Sequence, residues 1–275
     1  MDITICKNCQ HELPETFCPN CGEKRFDKHQ LTIKHFAEET LEGLIHFDTK
    51  FLRTLKTLFA KPGQLAADFV EGLQTRYMKP IAFFVVVNLL FFMVMVFNPY
   101  SLALDNYIKY KPFVNYGTQQ AVAKKIADLH VSQQLYTGVF NTKIKSESKA
   151  YIFIFIPVYG LICSLLFITY KRMFVEHLIF ALHFVAFILC LFFLQIYLVI
   201  YPLNIIFRGT HQDDIESFMG ILISACVAIY FFFAARRFYR SNPWWSALAS
   251  LIIAYTFFDL IQAYRMLLFY KIIHF

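Results

Sequence analysis

From His177 to Phe207 the chain runs 31 residues without a formal charge. At about 1.5 Å per residue, a helix of that length is longer than the roughly 30 Å of hydrocarbon in a bilayer. Four more charge-free runs, 80–104, 150–170, 217–235 and 241–258, each reach the roughly 18 residues that mark a membrane span. A soluble domain of this size would have no need of them. In lipid, only helices and closed barrels satisfy their own backbone, and barrel strands alternate where these runs are solidly apolar. The pattern therefore predicts a mainly α, polytopic membrane protein with about five transmembrane helices. Composition agrees: 58% of the 275 residues are hydrophobic and only 16% are charged.

The net charge of +7 would raise the question of nucleic acid in a soluble protein. Here the distribution of cations follows the positive-inside rule, and no nucleic-acid partner is expected. Eleven Lys/Arg precede the first run, and Lys171, Arg172, Arg236, Arg237 and Arg240 follow the second and fourth. Five spans then place the N-terminus in the cytoplasm and the C-terminus outside. The segment 98–150, with seven lysines, falls on the outer side. The first twenty residues are polar, so no signal peptide is expected.

The strongest motif is N-terminal. Cys6-Lys7-Asn8-Cys9 and Cys18-Pro19-Asn20-Cys21 form two CxxC pairs. Four thiolates in two tight turns are what a tetrahedral Zn²⁺ requires, and a site filled by four protein ligands is structural. Two disulfides would need an oxidising compartment, and a redox CxxC belongs beside a βαβ pattern that is absent here. Residues 1–28 are read as a zinc ribbon. Residues 30–79 read as amphipathic, interfacial helices, including a stripe of Phe51, Leu52, Leu55, Leu58 and Phe59 capped by Asp48. Such a basic helix before a first span is expected on the inner leaflet. Residues 80–275 form the transmembrane domain, including the extracytoplasmic segment at 98–150. Thr118 to Leu135 reads there as one amphipathic helix.

Polar groups inside the spans are the remaining candidates: Glu176, His177, His183, Gln195, Asp259 and Arg265. Ionisable groups at membrane depth are costly and face other helices or water. Asp259 and Gln195 are expected to line one buried polar pocket, with Arg265 as an alternative partner for Asp259. Glu176 and His183 are expected to form a second pocket. Asn88 reads as a helix–helix hydrogen bond. Pro157 and Pro202 predict distortions in the second and third spans.

The paired cysteines, Lys61-Pro62-Gly63 through Gly72, Tyr77 and Pro80, and Glu176-His177 through Ala186-Phe187 stand in a characteristic order. In these the chain resembles an uncharacterised bacterial family of zinc-ribbon, multi-span membrane proteins. It departs from the family at Gly72-Leu73-Gln74, where Gly-x-Arg is usual, and at Val185, where a further His is usual. The resemblance implies architecture and no biochemistry.

Three function classes fit these features. A non-enzymatic adaptor or assembly protein needs only a bilayer and a protein partner at the cytoplasmic ribbon, and is the leading expectation. A transporter or lipid-handling protein would use the intramembrane polar residues. An intramembrane metal-dependent hydrolase would use Glu176, His177 and His183, but H-E-x-x-H is absent.

Overall fold

The computed structural model describes residues 4–13, 16–23, 25, 50–95, 98–206 and 212–274. The amphipathic pattern before Lys50 and the Asp48 cap lie outside them. Strands β1 (Thr4–Ile5) and β2 (Glu12–Leu13) pair antiparallel. Helices α1 (Lys50–Ala60), α2 (Gln64–Val70), α3 (Pro80–Val94), α4 (Leu104–Lys109), α5 (Lys111–Val114) and α6 (Thr118–Leu129) follow. The chain continues through α7 (Gln133–Ala150), α8 (Phe155–Leu166), α9 (Phe174–Gln195), α10 (Tyr201–Ile206), α11 (Gln212–Tyr239) and α12 (Pro243–His274).

Among the described residues, four stretches are long and apolar enough to cross a membrane: Gln133–Leu166, Phe174–Leu203, Phe218–Phe238 and Pro243–His274. Five were expected. The difference is α3, whose 15 residues extend only about 22 Å, less than the hydrocarbon thickness. The first of these stretches begins earlier than its charge-free run because α7 leads into α8 through a 3₁₀ turn, Tyr151–Ile154. Pro157 sits in the first turn of α8, where a missing N–H is tolerated, so the irregularity lies before it. Pro202 acts similarly: a π-helical segment at Ile196–Ile200 precedes it and absorbs the disturbed hydrogen bonding. The single helix expected over 118–135 is two helices. His130 adopts the left-handed conformation at φ 54°, and the Ser132 hydroxyl then accepts from Leu135 N–H to start α7.

The chain forms two compact units. One comprises residues 1–93 and 155–254 and is built around α9. From Val175 to Leu189 every side chain of α9 except the half-buried Leu178 is buried. α8, α11, α2 and α1 all pack on it. Gly160 lets α8 approach closely, since a Cβ there would lie 2.7 Å from the Leu178 side chain. α2 buries Leu65, Ala66, Phe69 and Val70 and packs on α9 and α11. α1 buries Thr54 and Leu58 and leaves Leu52, Arg53, Lys56 and Phe59 exposed.

The other unit comprises residues 94–154 and 255–275. Its core centres on Tyr107, whose ring packs on Phe113, Phe140 and Phe269. The Tyr107 hydroxyl donates to the Arg265 carbonyl, and the Tyr264 hydroxyl to that of Ser148. These bonds fix the last turns of α12 against α4 and α7.

Candidate functional site

The two cysteine pairs fold as near-copies of one turn. Cys6 N–H donates to His11 C=O and Gln10 N–H to Cys6 C=O; Cys18 N–H donates to Glu23 C=O and Gly22 N–H to Cys18 C=O. The residue after each second cysteine is left-handed, Gln10 at φ 60° and Gly22 at φ 73°. Glycine adopts that conformation without strain, whereas Gln10 holds it against its own Cβ. The turn carries the amide two residues past each second cysteine towards sulfur, His11 for Cys9 and Glu23 for Cys21.

All four Sγ atoms lie within 4.8 Å of one another. The Cys6–Cys21 pair is 3.6 Å apart and the Cys9–Cys18 pair 3.5 Å. A tetrahedral metal with bonds of about 2.3 Å to sulfur needs edges of about 3.8 Å, so the residues fit such an ion. Leu13 is buried against this cluster and is the module's small apolar core. The Cys9 thiol is pulled down to about 6, chiefly by the amide of His11. The Cys21 thiol is pushed up, chiefly by burial.

The module is docked by a residue that sequence reasoning passed over. Glu23, only 3% exposed, accepts from Gln74 N–H at 3.1 Å and Thr75 N–H at 3.2 Å, and from the Thr75 hydroxyl at 2.7 Å. Lys7 donates to the Glu71 carbonyl and Asn8 to the Thr75 hydroxyl. The loop that receives them is held in turn by Arg53, which donates to the Arg76 carbonyl, and by Thr54, which accepts from Met78 N–H. A buried charge with three donors is the form in which burial is tolerable. No local pattern signalled Glu23, because its partners stand 51 and 52 residues along the chain.

The intramembrane candidates do not converge. Glu176 caps α9, its carboxylate accepting from Met173 N–H at 3.0 Å and paired with Arg172 at 3.4 Å. Arg172 also donates to the Phe238 carbonyl and lies over that ring, tying the start of α9 to the end of α11. His177 Nδ1 is 2.8 Å from the Tyr239 hydroxyl, and Tyr239 stacks on Phe167 at 3.9 Å. His183 Nδ1 is bonded to the Ile179 carbonyl one turn back, and its ring stacks on Phe83. A small cavity beside it, lined by Lys61, Gly63, Tyr230 and Ala234 among others, has room for about one water. Glu176 does not line it, so the Glu176–His183 pocket is replaced by two separate sets of contacts.

Gln195 donates to the Met219 carbonyl of α11 at 2.8 Å, a helix–helix pin. Asp259 is exposed on α12, against the expectation of a buried carboxylate. Arg265 turns to the Pro99 carbonyl at 2.6 Å and to Gln262. A guanidinium offers five donors in a fixed fork, and backbone carbonyls compete with a carboxylate for them. The Asn88 Oδ1, expected to bond another helix, is buried without a hydrogen-bond partner among the described residues.

Membrane-length helices and a cysteine cluster able to hold a metal define the class of protein. A family profile described as "Protein of unknown function (DUF3667)" matches residues 48–92. That stretch includes Lys61-Pro62-Gly63, Gly72, Tyr77 and Pro80, part of the resemblance read from the sequence; the cysteine pairs and the block from Glu176 lie outside it. Comparison with curated proteins and with solved structures finds no match.

Proposed function

We propose that this chain is a non-enzymatic adaptor or assembly protein of a bacterial cytoplasmic membrane, with the N-terminus inside and the C-terminus outside, an orientation that requires the charge-free run beginning with α3 to cross as a fifth, short span in a locally thinned bilayer. In this reading Cys6, Cys9, Cys18 and Cys21 hold one structural Zn²⁺, and four protein ligands leave no open coordination position. The metal supplies folding energy to a module too small to fold on its apolar core. The observation that carries the reading is the docking of this module through Glu23, which leaves Ile5 and Phe17 exposed at 62% and 58%. Exposed apolar side chains on a fixed platform are a surface for a protein partner. An open groove lined by Ile5, Lys7, Gln10, Glu71 and Leu73 runs beside it.

The test has two parts. Purified protein should carry close to one zinc per chain, and Cys18→Ser should carry none; equal zinc in both removes the site. A photo-crosslinking residue placed at Phe17 in cells should give a discrete adduct that Cys18→Ser abolishes. Zinc without any adduct would leave a metal module and refute the adaptor role.

A further inference from the structure

We propose that the face built from α1, the Lys61-Pro62-Gly63 turn and the C-terminal end of α11 binds the phosphate headgroups of anionic phospholipids. Two basic stretches far apart in sequence meet there. Arg237 donates to the Pro62 carbonyl, and Gly63 sits against the backbone of Ala234, where a Cβ would come within 2.4 Å of the carbonyl oxygen. The turn is thereby fixed to the last turns of α11. Arg53, Lys56, Lys61, Arg236 and Arg237 are all exposed. Neither α1, the turn nor residues 229–239 of α11 contains an acidic residue. Nearby Glu71 is paired with Arg240 at 3.0 Å, and Asp68 is buried and bonded to Gln64.

The apolar residues on the same elements choose the occupant. Ile229 and Phe233 are exposed at 59% and 52%, one turn apart on α11, and Arg236 and Arg237 follow one turn further on. Such a stripe lies along acyl chains and brings the two arginines to headgroup depth, where long cationic side chains extend towards phosphate. α1 repeats the arrangement, with Leu52 and Phe59 exposed beside Arg53 and Lys56. A nucleic acid or an acidic peptide would use the cations but leave the apolar stripe uncovered. An anionic lipid engages both.

The experiment titrates the full chain in detergent with phosphatidylglycerol, phosphatidylcholine or soluble glycerol phosphate, counting bound ligand by native mass spectrometry. The test variant is Lys56→Gln/Lys61→Gln/Arg236→Gln, which spares Arg237 and its bond to the turn. Lys124→Gln/Lys125→Gln on α6 is the charge control. Removing three cations should weaken phosphatidylglycerol binding about a hundredfold, roughly fivefold per charge. The control variant should bind as wild type does, and phosphatidylcholine and glycerol phosphate should bind weakly to every form. Equal unfolding temperatures in phosphatidylcholine micelles establish that the triple variant is folded. Undiminished phosphatidylglycerol binding by the folded triple variant overturns the proposal. So does equal binding of phosphatidylcholine, or displacement of the lipid by a short oligonucleotide or acidic peptide.

Discussion

Replacing Gly63 by alanine tests the wedge between the turn and α11. Two costs are separable. Gly63 has φ +79°, a left-handed conformation that costs an L-residue about 1–2 kcal/mol. The new Cβ would also lie 2.4 Å from the Ala234 carbonyl oxygen and 2.9 Å from its Cα. Both are backbone atoms and cannot rotate aside, so the turn or α11 must move, at about 1–3 kcal/mol for an overpacked site. Gly63→Ala should therefore destabilise by about 2–5 kcal/mol in all. Gly117→Ala isolates the first cost: its φ is +74°, and its Cβ would meet only the flexible Gln120 Oε1 at 3.2 Å. Ala234→Gly should not rescue Gly63→Ala, because the collision is with main chain. The assay is unfolding of the detergent-solubilised full chain, followed by tryptophan fluorescence and by loss of the monodisperse chromatographic peak. If Gly63→Ala is no less stable than Gly117→Ala, or if Ala234→Gly restores it, the reasoning is refuted.

Two further outcomes are expected. Burial raises the Asp68 carboxyl above its ordinary value, opposed by Gln64, Arg76 and Tyr77. A raised folded pKa gives stability at low pH that is lost as pH rises through it, so the ionised side chain is a liability at neutral pH. Asp68→Asn should unfold at a higher temperature than wild type at pH 7, with the gap closing as pH falls into the carboxylate range; a gap independent of pH would sink this account. For topology, cysteine introduced at Gln133 should label from outside and at Pro243 from inside. Pro243 is a better probe than the neighbouring Ser241, which is buried and bonded to Ser246. Labelling of both from one side would refute the proposed orientation.

Some of this was legible in the chain because it is local. Hydrophobic run length locates helices of membrane length, and CxxC spacing brings each pair of sulfurs into one turn. The burial of α9 could be anticipated from its unbroken apolar stretch. The polar residues were less legible. Glu176 could be read as starting its helix, since capping acts within a turn. The partners of His177, Gln195 and Arg265 lie on other segments, and their helical faces alone do not name them. The buried Asp259 expected from its position is an exposed side chain, because membrane depth on one helix says nothing of which side faces neighbours.

What the sequence determined by itself is the inventory: apolar lengths set by the 1.5 Å helical rise, two metal-competent turns and the eleven Lys/Arg that precede the first apolar run. The tertiary structure decided the connections between them. Glu23 reaches the amides of Gln74 and Thr75, and Arg237 reaches Pro62 across 175 residues. A carboxylate or a guanidinium is satisfied by any well-placed donor or acceptor, so its partner is chosen by which backbone the packed helices carry within about 3 Å of it. For Arg237 the choice depends on Gly63, which lacks a side chain and so lets the turn settle against Ala234.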